Sequence, residues 1–322
     1  MSLAVVILAA GEGTRMKSKY HKAMQEVAGR PILEHILRAI EPLKPERTVL
    51  IVGYGENQIR KRFKDNESIS FITQDFEQGY GTGAAFMQAA PELAGFDGDV
   101  LALYGDGPLL KTETLERLST AQKTHNGMSL VTAIVADPTG MGRIIKNDDG
   151  TIAAIVEEKD ANSEQKAINE VNPSIFLFDK DIFNIGKNLD NKNASNEYYL
   201  TDMVELYIKA GKTVKAVVAE EEEVLSANDR KELFNLDKIL RDRIRDKWLK
   251  AGVTMTNPEQ SYIDDTVLIE RDVVLEPGVI IIGNTIIKED ARIGAYSHLK
   301  DCIVKRGAIV KAFTIASNKT FS

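Results

Sequence analysis

Three apolar patterns follow one another along the chain. Ala4-Val5-Val6-Ile7-Leu8 is an unbroken β-rich run, as expected of a strand buried on both faces of a parallel sheet. Pro31 then opens a helical pattern in which Ile32, Leu33, Ile36, Leu37 and Ile40 form one stripe. Residues 48–52 predict a second strand closed by Gly53, residues 57–63 a short helix, and residues 69–72 a third strand. A helix is expected over 82–93 and a core strand over 100–104, ending in Gly105-Asp106. Later strands at 129–135, 152–157 and 174–178 are not each followed by a long helix, so the sheet should be mixed. This alternation predicts a Rossmann-like, doubly wound α/β domain.

From Arg230 to Lys250 the pattern becomes a long polar helix with Leu233, Leu236, Leu240, Ile244 and Trp248 on one face. Asn228 or Asp229 is its candidate N-cap, and Gly252 its end. Beyond it the period changes to six. Ile269, Leu275, Ile281, Ile287, Ile293 and Leu299 recur at that interval, with Val273, Val279, Thr285, Ala291 and Ser297 four residues on at most turns. A plain meander would alternate every two residues. A fixed six-residue period instead predicts a short hexapeptide-repeat parallel β-helix, one inward side chain per flat face. After Leu299 the frame slips by one residue, and residues 313–322 do not read as further hexads, so two to three coils are expected. The expected division is a domain over 1–228, a connector helix over 229–252 and the β-helix over 253–322.

Composition narrows the function classes. The 322 residues carry 41 basic against 48 acidic side chains, a formal net charge of −7, which argues against a nucleic-acid binder that works through a basic face. The single cysteine, Cys302, allows no intrachain disulfide, and the four histidines lack metal-ligand spacing. The first apolar run is too short to span a bilayer and has no basic leader, so a cytoplasmic enzyme is expected.

The chemistry is expected at Leu8-Ala9-Ala10-Gly11-Glu12-Gly13-Thr14-Arg15. Glycines between a buried strand and a polar segment let backbone N–H groups approach an anion. A dinucleotide fingerprint would need a third glycine where Met16 stands, and no P-loop Gly-Lys-Ser/Thr follows. Arg15 and Lys22 instead place two cations near the turn, as a triphosphate requires. Taken singly, each of these features also has a bland reading as a tight corner, a helix cap or a solvated charge.

Leu-Ala-Ala-Gly-x-Gly-Thr-Arg-Met resembles the signature of sugar-1-phosphate nucleotidyltransferases. Gln74, Gly81-Thr82-Gly83, Tyr104-Gly105-Asp106, Gly140-Met141-Gly142-Arg143-Ile144, Glu157-Glu158-Lys159, Asn172, Glu197-Tyr198-Tyr199-Leu200-Thr201-Asp202 and Asn228-Asp229-Arg230 follow in that family's order. With the hexapeptide tail, the set is similar to the bifunctional N-acetylglucosamine-1-phosphate uridyltransferase/glucosamine-1-phosphate acetyltransferase family. The resemblance implies the nucleotide-diphospho-sugar transferase fold followed by a left-handed β-helix. It implies that Leu8, Ala9, Ala10, Gly11, Gln74, Gly81 and Thr82 hold the nucleotide, and that Arg15 and Lys22 stabilise charge on the triphosphate and the transition state. Asp106 and Asn228 would hold Mg²⁺, and Gly142, Glu157, Asn172, Tyr198 and Thr201 would line the sugar side.

UTP and N-acetylglucosamine 1-phosphate are therefore the expected substrates, and UDP-N-acetylglucosamine and pyrophosphate the products. Association as a homotrimer through the β-helix is expected on the same ground. In that family the acetyl-transfer residues belong to later coils, so acetyltransferase activity is not expected of these residues. The pattern departs from the family in three places: His21 replaces a proline before Lys22, Gly107 replaces a small branched residue, and Asn172-Pro173-Ser174 replaces Asn-Thr-Gly. These departures keep two alternatives open, transfer to another sugar phosphate or from another NTP, and a non-catalytic UDP-sugar or UTP sensor.

Overall fold

The computed structural model describes residues 2–322. The chain divides into two compact units, residues up to Met24 with Ile32–Asn228, and Gln25–Pro31 with Asp229–Ser322.

The first unit is built on a ten-stranded mixed sheet. Its parallel part runs Ile69–Thr73, Arg47–Val52, Leu3–Ala9, Asp99–Tyr104. Ala4, Val5, Val6 and Ile7 are fully buried, which is what their unbroken apolar run requires. Phe176–Phe178 then pairs antiparallel with Asp99–Tyr104 and leads into Gly127–Ile134, Glu170–Asn172, Gly142–Lys146 and Ile152–Val156. Thr213–Ala219 adds a parallel partner to Gly127–Ile134. One face is closed by Phe86, Phe176, Phe178 and Tyr207, with the Phe86 and Phe178 rings 5.6 Å apart. The helix expected over 82–93 ends at Met87. Pro91 explains the stop: the residue before a proline disfavours α geometry, and the chain continues in turns.

In the second unit, Arg230–Lys250 is a helix capped by Asp229, whose carboxylate accepts from the Lys231 and Glu232 N–H groups at 2.8 Å. Gly252, at φ 90°, closes its other end: the Val253 N–H reaches the Trp248 carbonyl and the Gly252 N–H that of Leu249. The tail forms three four-stranded parallel sheets, one strand of each sheet per coil. Four strands per sheet make four coils, not two to three. The first begins at Thr254–Met255 and the last ends at Thr320–Phe321. Met255 escapes the period because an eight-residue step separates it from Ile263. The final hexads escape it because Ala316 and Phe321 are only partly buried. The slip after Leu299 is taken up at one corner, where Asp301 turns at φ 52°, and pairing resumes at Ile286↔Ile303.

Candidate active site

The sheet changes direction beside its first strand. From Leu3–Ala9 the chain builds toward one edge, then returns to place Asp99–Tyr104 on the other side. Crevices of open α/β sheets form at such a reversal, outside the carboxyl ends of the strands. A cavity of about 660 Å³ opens there.

Leu8–Gly11, Gln74, Gly81, Thr82, Arg15, Lys22, Asp106 and Asn228 all line this cavity. Parallel register pairs Leu8 with Tyr104, so the glycine turn and Asp106 leave the sheet side by side. The turn runs into a single 3-10 turn, Thr14–Met16, and no long helix follows. Gly13 has φ 62°, and a Cβ there would sit 2.9 Å from the Lys22 Cβ. Glycine at 13 therefore lets the lysine stem pack against the turn. A Cβ on Gly11 would meet nothing within 4 Å, so the backbone at Gly11 has open space beside it. Arg15 is exposed at this wall.

Lys22 Nζ lies 2.5 Å from Asp106 Oδ2 and donates to Asn228 Oδ1 at 2.8 Å. Asn228 is within reach because the Ala227 N–H bonds the Asp106 carbonyl, and because Asp229 does the capping. Two hard oxygen donors thus converge on one cation, and that donor set fits Mg²⁺. Among the described residues no group of three or more His, Cys, Asp or Glu side chains could hold a metal. An ion at Asp106 and Asn228 would take the rest of its shell from water and phosphate oxygens, as Mg²⁺ commonly does.

The residues expected on the sugar side lie outside the cavity lining but largely together. Thr201 Oγ1 donates to Glu157 Oε1 at 2.9 Å, and Asn172 pairs with Gly142 across adjacent strands. Burial raises the Glu157 carboxyl above its ordinary value, against the Thr201 hydrogen bond, which lowers it. Tyr198 is placed elsewhere, its backbone against the turn that ends the nucleotide wall. Gly81 has φ 117°, and a Cβ there would lie 2.5 Å from the Tyr198 carbonyl oxygen.

Two residues given no role from the sequence stand beside these groups, Tyr104 at the cavity and Ser174 after Asn172. Tyr104 lines the cavity. Burial raises the phenol well above its ordinary range, so it keeps its proton. Ser174 adopts φ 61°, a left-handed conformation that costs a side-chain-bearing residue roughly 1–2 kcal/mol. Phe76 and Tyr80, with ring centroids 5.9 Å apart, also line the cavity. The signal for them was the presence of aromatic residues just after Gln74 and just before Gly81.

His21 is buried, and Nδ1 accepts from the Ala23 N–H at 3.1 Å. Burial and the Lys22 charge push its pKa down, against the Gly11 backbone, which raises it. The imidazole is therefore neutral at pH 7 and adds no third cation to the turn.

Comparison with known proteins bears on this geometry. A family model described as the MobA-like NTP transferase domain matches residues 5–163. The chain is 40% identical over 322 residues to the bifunctional protein GlmU of Alkaliphilus oremlandii, a match covering 99% of this chain and 70% of that protein. It is 39% identical to the protein of the same name from Levilactobacillus brevis (93% and 65% covered) and 40% identical to that from Enterococcus faecalis (96% and 68%). The chain thus spans about two thirds of the length of these relatives. A solved Bacillus anthracis structure, described as a putative glucose-1-phosphate thymidylyltransferase, superposes with a TM-score of 0.60 at 18% identity. That match covers 75% of this chain and 96% of the other, and it supports the fold alone. Among the described residues no helix is long and apolar enough to cross a membrane.

Proposed function

The chain belongs to the GlmU family of nucleotidyltransferases, and on that premise we propose that it transfers uridylyl from UTP to N-acetylglucosamine 1-phosphate, with Mg²⁺, releasing pyrophosphate. The observation that carries the proposal is the convergence of the glycine turn, Lys22, Asp106 and Asn228 at the end of two neighbouring strands. We assign this activity to residues 1–228. Acetyl transfer is not part of the proposal.

In this reading a phosphate oxygen of the sugar attacks the α-phosphorus of UTP, and the bond to the β-phosphate oxygen breaks. The attacking group is already an anion, so no general base is needed. The work left to the protein is alignment and neutralisation of oxygen charge. Backbone at Leu8–Gly11 with Gln74, Gly81 and Thr82 would hold the nucleoside, and Arg15 and Lys22 would face the phosphates. Asp106 and Asn228 would hold the metal, which when bound supplies positive charge to the phosphate oxygens. Glu157, Asn172, Gly142 and Thr201 would bound the sugar side, and Tyr198, packed against Gly79 and Gly81, would stand where that side meets the nucleotide wall. The β-helix is the proposed trimerisation element, supported by exposed Ile309, Phe313 and Ile315; a monomer by sedimentation would overturn it.

The test is a panel of NTPs and sugar 1-phosphates with pyrophosphate release as readout, run with and without Mg²⁺. Turnover is expected with UTP and N-acetylglucosamine 1-phosphate. Turnover confined to another pair would replace the substrate assignment, a result the strained Ser174 turn makes worth testing. Nucleotide binding without any turnover would support the sensor instead.

A further inference from the structure

We propose that Phe76 and Tyr80 form an aromatic platform on which the base of the nucleoside triphosphate stacks. The proposal deepens the transferase reading above and rests on it.

The starting point is two rings that the core leaves out. Phe76 is 53% and Tyr80 60% exposed although the two are neighbours, with centroids 5.9 Å apart and planes tilted by 31°. Both line the cavity together with Gln74, Gly81 and Thr82. Burial of an aromatic ring is strongly favourable, and in the free protein these two leave most of that gain unrealised. A flat guest at the cavity wall would recover it.

The segment that carries the rings is held at both ends. Asp75 caps the 3-10 turn Phe76–Gln78, its carboxylate accepting from the Glu77 N–H at 2.9 Å and from the Gln78 amide at 3.0 Å. Gln88 grips the Asp75 backbone twice, accepting its N–H at 2.8 Å and donating to its carbonyl at 2.7 Å. At the far end the Tyr80 carbonyl accepts from the Tyr198 N–H at 2.8 Å, and the Gly83 N–H reaches the Tyr198 carbonyl at 2.7 Å. A Cβ on Gly79 would lie 3.0 Å from the Tyr198 ring, so the backbone before Tyr80 rests on that ring. A platform already ordered in the free protein loses little of its stacking energy to ordering when the ligand binds.

Charge decides which part of the ligand arrives there. The two cations of the lining, Arg15 and Lys22, belong to the glycine-turn wall. Residues 75–80 carry Asp75 and Glu77 and no cation, so they repel a triphosphate. Glu157, Asn172 and Thr201, proposed for the sugar, lie outside the lining. The uncharged base is the part that remains. Every base has a π-face, so the pair sets nucleotide affinity and leaves the choice of base to polar groups such as the Gln74 amide.

The experiment measures kcat, KM for UTP and for N-acetylglucosamine 1-phosphate, the inhibition constant of inorganic tripolyphosphate, and Tm. The proteins are the parent, Phe76→Ala, Tyr80→Ala and Tyr80→Phe. The alanine variants are expected to raise the KM for UTP about five- to hundredfold, the worth of one base–aromatic stack. The kcat, the KM for the sugar phosphate and Tm should stay at the parent's values, as for a binding contact made equally before and during reaction. Tripolyphosphate carries the phosphates without the base, so its inhibition constant should not move. Tyr80→Phe keeps the ring and should match the parent. A rise of less than about twofold in both alanine variants, below the smallest such stack, would overturn the inference. So would an equal loss of tripolyphosphate affinity, or a Tyr80→Phe as weak as Tyr80→Ala. Absence of turnover by the parent with every sugar phosphate would overturn the transferase reading alone, because UTP affinity by calorimetry then carries the same comparison. No UTP binding by the parent would overturn both.

Discussion

Lys22 bridges Asp106 and Asn228, at 2.5 Å and 2.8 Å, so a lysine ammonium stands at the point on which both oxygens converge. A divalent ion at those two oxygens and the ammonium exclude one another. Exchange would free Lys22 to turn toward the phosphates.

Lys22→Ala is therefore expected to tighten Mn²⁺ or Mg²⁺ binding measured by calorimetry without nucleotide, while turnover falls about a hundredfold or more. Arg15→Ala removes an equal charge that has no such contact and serves as the control, with metal affinity close to the parent's. Unchanged or weaker metal binding in Lys22→Ala would remove Asp106 and Asn228 as the metal site.

Arg15 itself gives a cleaner kinetic prediction, because it is exposed. Replacing it with Ala should leave Tm within a degree or two. If it stabilises charge that grows in the transition state, kcat falls by roughly 10²–10³-fold. A rise in KM for UTP with kcat intact would instead make Arg15 a ground-state binding residue.

The family's proline at position 21 should not suit this chain. The His21 N–H donates to Gln58 Oε1 at 2.9 Å, and proline has no such proton. His21→Pro also empties a buried ring site. The lost bond and the void together should cost about 2 kcal/mol or more, lowering Tm by roughly 4–8 °C. An unchanged Tm would show that the histidine is not integrated as the hydrogen bonds indicate.

What was legible in the sequence was what neighbouring residues write together. The glycine turn, Asp106 after a buried strand, and the period of six from Ile269 are all local signals, and each element forms where its pattern lies. What was not legible depends on partners distant in the chain. Nothing near Val100–Ala102 announces Phe176–Phe178, because antiparallel register brings them together. The excursion Gln25–Pro31 gives a similar lesson. Pro31 opens the helix Ile32–Ile40 as its pattern predicts, but no local signal shows that Arg30–Pro31 also forms a hairpin with Glu26–Val27, or that the Ala28 N–H bonds Asp237 at 2.7 Å within the second unit. The Asp237 that holds it lies over two hundred residues on.

Asp202 offers a test in which the sign of the pH dependence is fixed. Burial, with the charges of Glu205, Asp190, Glu157 and Asp160, pushes its carboxyl up to about 6. A carboxyl whose pKa is higher folded than unfolded favours the folded state while it is protonated. That contribution is complete below the unfolded value near 4 and is lost as pH rises through about 6. Asp202 makes no side-chain cap to the helix it precedes, so an amide there loses no hydrogen bond to the backbone. Asp202→Asn should accordingly raise Tm at pH 8 and leave it unchanged near pH 4. The side chain is half-exposed and screened, so the gain should be about 2–3 °C. Thermal melts of both proteins across that pH range decide the matter: a gain that is equal at both ends would mean that the introduced amide acts by packing, and a loss at pH 8 would mean that the carboxylate is held by a favourable partner.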